Sequence, residues 1–520
     1  MNQTTNNSSS IRTGGFLNTI ERIGNKIPDV TTLFFYALIS CFITSLLLSF
    51  VNFNYINPVT QEKLIIVNML APEHIVTFFT KMVPNFVTFP PLGITIVATL
   101  GIGIAESSGY IHVLLKKLLA ITPKNLVTPS VIFVSMVCHI AADSAYVILM
   151  PVSAMMFYAI GRHPLAGIAA SFAGLAGGFS SSYTPSIIDP IMQGFTQSAA
   201  QIIAPSYQVN VLCNYFLSFG GTFFVLLACW FVTDKIVEPR LHATMPLNND
   251  LKLDNIANSP AITPVENRAF KVASIIFLAI AIGLVLLLIP ENSLLRAPNG
   301  SMTSNKAPIM QIIVPLLFIF FAIPGLIHGF ITGAFKSSRD IVKSMEKITK
   351  SLIPFIVFAF FCAQFLYVFS HSHIGTLIAI GGAEFLKALH LPSVVTIFGV
   401  IILTSMLNVL ITSASSKWAI LAPIFVPMLM SVGISPELTQ AAYRISSAVN
   451  VSTPMFAFYP LIIAYCQQYC KNTGVGTLSS MMIPYTAALL IALTINLLLF
   501  WLLGLPIGFD SGYIYPPVSN

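Results

Sequence analysis

Long apolar runs separated by short polar loops follow one another along almost the whole chain. The first run covers Thr31–Val51 and the last covers Leu478–Leu503, and several of those between are as long. A run of about 20 apolar residues can cross a bilayer as a helix. The pattern therefore predicts an all-α polytopic membrane protein.

Four of the apolar runs are interrupted by polar residues. The interruptions, called breaks below, are His139–Ser144, Gly178–Pro190, Thr412–Trp418 and Ser446–Pro454. Backbone groups in lipid need partners within the protein, so a break at membrane depth is expected to line an enclosed cavity. Hydroxyls, carbonyls and helix ends there can hold an ion or a small polar solute. For residues 393–432 the alternative is one long helix bent at its Ser/Thr residues.

The positions of the basic residues predict how the runs are oriented. Cytoplasmic loops are rich in Lys and Arg, and basic residues precede Thr31 and flank both ends of 127–160. Residues 127–160 are therefore predicted to form a re-entrant hairpin. Residues 393–432, whose flanks are poor in basic residues, are predicted to form a second hairpin that begins and ends outside. The result is nine transmembrane helices plus two re-entrant hairpins in inverted-topology repeats, an arrangement typical of secondary transporters.

This topology divides the chain into six parts. They are a cytoplasmic N-terminus (1–30), a first membrane repeat (31–233) with hairpin 127–160, a cytoplasmic linker (234–268), a connecting span and external loop (269–308), a second membrane repeat (309–503) with hairpin 393–432, and an external C-terminus (504–520). The polar N-terminus shows no pattern of a cleavable signal peptide.

The composition argues against other classes of protein. Of the 520 residues 56% are hydrophobic and 8% are charged, with a mean hydropathy of +0.84, whereas about a quarter of the residues in a soluble domain are charged. The net charge of +7 comes from basic loops, so no nucleic-acid partner is predicted. The sequence has no phosphate-binding loop, so ATP is not the expected energy source and no cofactor is expected. A metal-dependent enzyme built on His139 and Asp143 is a weaker alternative, because no HExxH or paired-aspartate motif accompanies them.

Five residues in or near the breaks have side chains that invite a functional interpretation. Asp143 and Asp189 are candidates to bind a cation or relay a proton, with a helix cap and a boundary residue as the respective alternatives. Trp418 is interpreted as an aromatic surface for a solute, or else as an interfacial anchor. Lys417 is interpreted as a cation that binds an anionic solute. The alternatives are an ion pair with Asp143 and a side chain that extends to place its ammonium at the membrane interface. Arg444 is interpreted as an interface residue at the start of its span.

Several segments, taken together and in order, resemble the p-aminobenzoyl-glutamate transporter (AbgT) family over nearly the whole chain. They are ERIGNKIP at 21–28, HIAADSAYVILMP at 139–151, GRHPLAG at 161–167, TDKIVEPRL at 233–241, SASSKWAILAPIFVPM at 413–428 and LPIG at 505–508. The resemblance implies nine membrane helices and two hairpins in a bowl-shaped homodimer. It also implies transport of p-aminobenzoyl-glutamate coupled to an ion gradient, with export of sulfonamide antimetabolites by some members.

The resemblance also carries residues onto this chain, with two departures. Asp189 matches an aspartate of the first broken span, which is the apolar run 164–204 that contains the second break. The residues that match the family's second hairpin are Asn408, Ser413, Ser415, Trp418, Pro423 and Pro427. Ser182 stands where the family usually has Asn. Ser446 and Ser447 follow Arg444-Ile445, where the family usually has an acidic residue, so this chain lacks the carboxylate that a cation site there would use.

These observations give two sets of candidate site residues. The predicted substrate-binding set is Ser180, Ser182, Asp189, Asn408, Ser413, Ser415, Lys417, Trp418, Pro423, Asn450 and Pro454. The predicted ion-coupling set is Asp143, Asp189, Ser446, Ser447 and Asn450, with sodium or a proton as the coupling ion.

The predicted function is ion-coupled secondary transport of p-aminobenzoyl-glutamate or related aromatic or dicarboxylate anions, with export of sulfonamide-type antimetabolites as one form of it. The alternative within the same class is a transporter of another organic anion. The predicted location is the bacterial inner membrane, with the N-terminus cytoplasmic and the C-terminus external, and the predicted assembly is a homodimer.

Overall fold

The regular secondary structure is helical throughout the part of the chain that the structure describes. The computed structural model describes residues 28–56, 62–120, 126–141, 144–248 and 262–515, and apart from two isolated β-bridges their regular elements are helices. The predicted all-α class is confirmed.

The helices of the first half follow the apolar runs. They are α1 (Val30–Ser49), α2 (Pro72–Val87), α3 (Pro90–Ser107), α4 (Tyr110–Ala120), α5 (Val127–Val137), α6 (Ser144–Ala159), α7 (Pro164–Phe172), α8 (Ile188–Ala200), α9 (Tyr215–Val232) and α10 (Glu238–Thr244). Gly109, at φ +84°, separates α3 from α4. This left-handed conformation suits glycine, which has no Cβ.

The second half continues in the same way. Its helices are α11 (Pro264–Leu288), α12 (Pro308–Gln311), α13 (Ile313–Thr332), α14 (Ser338–Ser351), α15 (Ile353–His371), α16 (Ile374–Ala388), α17 (Ser393–Asn408), α18 (Ala414–Met430), α19 (Pro436–Ile445), α20 (Tyr459–Tyr469) and α21 (Val475–Leu502). Among the described residues, seven helical segments are long and apolar enough to cross a bilayer. The total of nine spans and two hairpins stays a prediction.

Two polar stretches differ from the sequence-based expectation. The predicted linker 234–268 begins as helix, because a π-turn at Thr233–Val237 continues α9 into α10, and α11 already starts at Pro264. Residues 249–261 of the linker lie outside the described residues. The basic stretch after Phe335 forms the amphipathic helix α14, which packs against α3 and was not predicted.

The two ends of the predicted first hairpin lie next to each other. Arg162, just after α6, donates to Thr128 at the start of α5 at 2.7 Å. The same guanidinium pairs with Asp234 at 2.5 Å and also with Glu238. Both ends of 127–160 therefore lie on the same side of the molecule as the start of the linker.

Helices α3 and α13 pack closely because glycines line their contact. A Cβ on Gly325 would lie 2.7 Å from the backbone of Ala105, and one on Gly101 would lie 2.5 Å from the carbonyl oxygen of Phe318. Small residues at such contacts let helix backbones approach closely within a membrane. Of these two helices, α3 lines the cavity described next.

Candidate functional site

All four polar breaks contribute residues to one cavity of about 550 Å³. His139 comes from the first break, Phe179 and Ser186 from the second, Thr412–Ser415 from the third, and Asn450 from the fourth. Helices α3 and α14 complete the wall. The volume is in the range of small-molecule sites, about 300–1,000 Å³.

Aromatic side chains form one wall of the cavity. Tyr146 stacks on Phe458 with ring centroids 4.3 Å apart and an interplanar angle of 8°. Phe456 lies 5.7 Å from Tyr146 and 5.9 Å from Phe458, and Phe179 also lines the cavity. None of these four residues was predicted as a site residue, because in the sequence they look like ordinary apolar positions. Together they offer ring faces and edges to a flat solute.

The polar part of the wall includes the N-terminus of helix α18. Ser413 caps this helix by accepting a hydrogen bond from the backbone N–H of Ser416, and both Ser413 and Ser415 line the cavity. The N-terminus of a helix carries a partial positive charge and favours anions. Two charged side chains, Glu106 of α3 and Lys347 of α14, also line the cavity.

The structure contradicts the predicted role of Trp418 as a surface for the solute. Trp418 is fully buried, its ring stacks on Tyr443 at 4.4 Å, and its Nε1 donates to Thr196 Oγ1 at 2.8 Å. The ring face is occupied and the indole N–H is satisfied, so Trp418 holds α18 against α8 and α19. The interfacial-anchor alternative is also wrong, since the residue has no exposed surface.

Lys417 lies behind the cavity wall rather than on it. Its Nζ donates to Asn408 Oδ1 and lies 3.5 Å from Ser446 Oγ. Asn408 in turn donates from Nδ2 to Asn450 Oδ1 at 2.6 Å, and Asn450 lines the cavity. Lys417 and Asn408 therefore reach the cavity only through Asn450.

Asp189 and Arg444 form a buried ion pair between the two halves of the chain. Arg444 Nη1 lies 2.6 Å from Asp189 Oδ1, and the two side chains are 7% and 6% exposed. The other carboxylate oxygen accepts from the backbone N–H and the hydroxyl of Ser186, at 2.8 and 3.1 Å. Both oxygens of Asp189 are thus occupied, which contradicts its assignment as a free solute or cation ligand. Arg444 is correspondingly a buried partner and not an interface residue.

The remaining predicted residues divide between the wall and its support. Ser413, Ser415 and Asn450 line the cavity as predicted. The residues that instead hold other parts of the protein are Ser180, bonded to Ser447 at 2.5 Å; Ser182, bonded to the carbonyl of Thr184 at 2.7 Å; Ser446, bonded to the carbonyl of Tyr443 at 2.7 Å; and Pro423, buried within α18. Pro454 is half-buried in the fourth break, and Asp143 lies outside the described residues.

The described residues do not support a metal centre of His, Cys, Asp and Glu ligands. No group of three or more such side chains in that part of the chain is placed to hold a metal ion. His139 is engaged by the carbonyl of Leu175 at 2.8 Å. The arrangement of hydroxyls, amides and aromatic rings favours binding of a solute over metal-dependent chemistry.

A cavity lined by four interrupted helical segments in a chain of membrane-spanning helices defines a multi-pass membrane transporter. The chain belongs to the AbgT family, since a family model described as "AbgT putative transporter family" matches residues 15–515. The expectation that the protein is a transporter and not an enzyme is confirmed.

Individual relatives match this chain along nearly their full length. The p-aminobenzoyl-glutamate transport protein of Escherichia coli (strain K12) is 33% identical over 512 residues, covering 98% of this chain and 99% of that protein. The YdaH transporter of Alcanivorax borkumensis is 34% identical with a TM-score of 0.87, covering 92% of this chain and 100% of that one. MtrF of Neisseria gonorrhoeae, described as illuminating a class of antimetabolite efflux pumps, is 39% identical with a TM-score of 0.89, covering 95% and 100%.

Proposed function

We propose that this chain is an ion-coupled secondary transporter of p-aminobenzoyl-glutamate or related aromatic or dicarboxylate anions. The observation that carries the proposal is the single cavity to which all four breaks contribute. The names of its relatives support the solute class, because one is a p-aminobenzoyl-glutamate transport protein and another belongs to a class of antimetabolite efflux pumps.

The cavity wall matches the two chemical parts of such a solute. An aminobenzoyl ring packs against Tyr146, Phe456 and Phe458, where offset or edge contacts between aromatic rings are favourable. A carboxylate is held at the N-terminus of α18, where Ser415 offers a hydroxyl donor and the helix end favours negative charge. The ring wall favours an aromatic solute over an aliphatic dicarboxylate.

Transport into vesicles that contain the purified protein tests this assignment. Phe458→Ala is expected to weaken solute binding by about 0.5–1.5 kcal/mol, or roughly two- to tenfold in the half-saturating concentration, because a ring contact is lost. The matched control is Phe385→Ala, which removes an exposed ring on α16, away from the cavity. Trp418→Ala is expected to lower thermal stability by about 3–5 kcal/mol instead, because it empties a buried site.

The outcomes separate the proposed solute from other anions. Uptake of p-aminobenzoyl-glutamate no greater than in empty vesicles would overturn the assignment. Competition by aliphatic dicarboxylates that equals competition by aromatic ones would favour the other-organic-anion alternative. An equal effect of Phe458→Ala and Phe385→Ala would remove the ring wall from the solute site.

We further propose coupling to a sodium or proton gradient, and a homodimer in the bacterial inner membrane with a cytoplasmic N-terminus. Coupling is expected because the solute is charged and the cavity is built from broken helices. Imposing each gradient in turn on the same vesicles, in both directions, identifies the ion and distinguishes import from export, including export of sulfonamides.

A further inference from the structure

Lys417 is a buried basic residue whose contacts among the described residues are all with neutral groups. It is 1% exposed, and its Nζ contacts Asn408 Oδ1, lies 3.5 Å from Ser446 Oγ and stands 5.1 Å from the ring centroid of Tyr443. Among the described residues, no carboxylate is paired with it within 4.0 Å. A buried ammonium without such a partner is costly unless oxygen atoms replace its water.

The oxygens around Lys417 are oriented to receive a positive charge. Asn408 uses its Nδ2 to donate to Asn450, which turns its Oδ1 toward Nζ. Ser446 uses its hydroxyl hydrogen on the carbonyl of Tyr443 at 2.7 Å, which leaves a lone pair for the ammonium. An amide oxygen and a hydroxyl oxygen thus converge on one point. We call the oxygens of Asn408 and Ser446 the oxygen cage.

The cage lies where a coupling ion was expected. Asn408 ends α17 and Lys417 lies in the first turns of α18, and both helices belong to the second hairpin. Ser446 and Asn450 lie in the fourth break, which interrupts the second broken span, 441–469. Ser446 and Asn450 are two of the predicted ion-coupling residues. A second cation in the cage would meet the ammonium at contact distance, where repulsion between like charges in a buried site is strong.

We propose that the ammonium of Lys417 is the resident cation of this oxygen cage, so that sodium does not bind there. The proposal rests on the proposed function, of which it excludes sodium coupling through this site. It fits the absence of an acidic residue after Arg444-Ile445 in the sequence, because a site that already holds a fixed positive charge has no vacancy for a metal cation.

Thermal unfolding of the purified protein, without solute, tests the proposal directly. The melting temperature is measured while choline chloride is replaced stepwise by sodium chloride at constant ionic strength. The wild type is expected to show no shift. Lys417→Ala empties the cage and is expected to gain a melting temperature that rises with sodium concentration, as ligand binding to the folded state requires. Lys417→Met fills the same space without charge and is expected to gain none.

Three results would overturn the proposal. They are a sodium-dependent shift in the wild type, a shift of the same size in Lys417→Met and Lys417→Ala, and no shift in folded Lys417→Ala. If neither variant folds, the melting temperature of the wild type decides: a rise with sodium concentration overturns the proposal, and no rise supports it. Because the melting experiment contains no solute, failure of the proposed p-aminobenzoyl-glutamate transport would not alter its result.

Discussion

The ion pair between Asp189 and Arg444 allows the sharpest test of the site. Asp189→Asn keeps the size of the side chain and can still accept from the backbone N–H of Ser186, but it removes the negative charge that faces Arg444. The guanidinium would then remain buried, with a carbonyl contact at 3.5 Å to Ser180 as its other close oxygen. A structural role for the pair predicts loss of stability, whereas a coupling role predicts loss of gradient-driven accumulation alone.

The expected loss in the free energy of unfolding follows from the burial of the ion pair. With both side chains less than a tenth exposed, removing one partner is expected to cost about 3–5 kcal/mol, since an uncompensated charge stays buried. Replacing both partners, as in Asp189→Asn with Arg444→Gln, is expected to cost less than the sum of the single changes. The interaction energy from such a cycle is expected to be about 0.5–3 kcal/mol.

The assay is thermal unfolding in detergent, combined with accumulation and counterflow in vesicles. Ser186→Ala is the matched control, because it removes only the neutral hydroxyl contact to Asp189 and is expected to cost about 0.5–1.5 kcal/mol. If Asp189→Asn unfolds like the wild type, exchanges solute passively and loses only accumulation, the structural account is refuted and Asp189 is the coupling carboxylate.

Two further predictions concern the scaffold. Burial lowers the pKa of His163, against an opposing hydrogen bond to the carbonyl of Met245; below about pH 6.5 the unfolded chain takes up a proton that the folded chain does not. The contribution of neutral His163 to the free energy of unfolding is therefore complete above about pH 6.5 and is lost as the pH falls toward the lower pKa of the folded state. His163→Asn should make the melting temperature less dependent on pH in this range. Gly325→Ala should lower the melting temperature, because its Cβ would lie 2.7 Å from the backbone of Ala105. Gly283→Ala, which meets nothing within 4 Å, should leave the melting temperature unchanged or slightly higher.

The sequence predicted the location of the breaks well because hydropathy is a local signal. A polar residue in an apolar run is costly in lipid wherever the rest of the fold lies, so each break was visible by itself. The expectation that each break would line an enclosed cavity followed from the need of its backbone groups for partners within the protein. Ser413, Ser415 and Asn450, which lie in two of the breaks, line the cavity, and their role in substrate binding stays a prediction.

The predictions that failed concern contacts between distant residues. Arg444 and Asp189 are 255 positions apart, and nothing local in either segment shows that each neutralises the other. Trp418 stands beside a polar break, yet its burial depends on Tyr443 from another helix. Tyr146 and Phe458 were missed for the opposite reason, since apolar residues in apolar runs give no sign of which face a cavity.

The helix α14 was missed because its charge density resembles that of a loop. The stretch from Lys336 to Lys350 is rich in basic residues, which indicated a cytoplasmic connection. The structure shows a helix whose Ile348 side chain packs directly on Gly103 of α3. A Cβ added at Gly103 would lie only 2.3 Å from that side chain. A narrow apolar stripe on a basic helix is enough to fix it against a neighbour, and this one brings Lys347 to the cavity.

The polar contacts around the cavity are distributed unevenly, and the distribution limits how the cavity can open. Asp189 and Arg444 tie the first broken span to the second, and Trp418 ties the second hairpin to the first broken span through its hydrogen bond to Thr196. On α3, by contrast, the hydroxyl of Thr95 donates back to the carbonyl of Pro91 in the same helix, at 2.6 Å. Separating the broken spans from each other would leave a buried charge unpaired, which is costly. Sliding α3 past them breaks no hydrogen bond of Thr95. Solute access is therefore expected to come from movement of the joined spans and hairpin against α3, with the ion pair intact. Replacing both Asp189 and Arg444 by neutral residues is then expected to lower stability but to leave the exchange kinetics of the folded protein unchanged. Altered exchange kinetics in that folded variant would contradict this account.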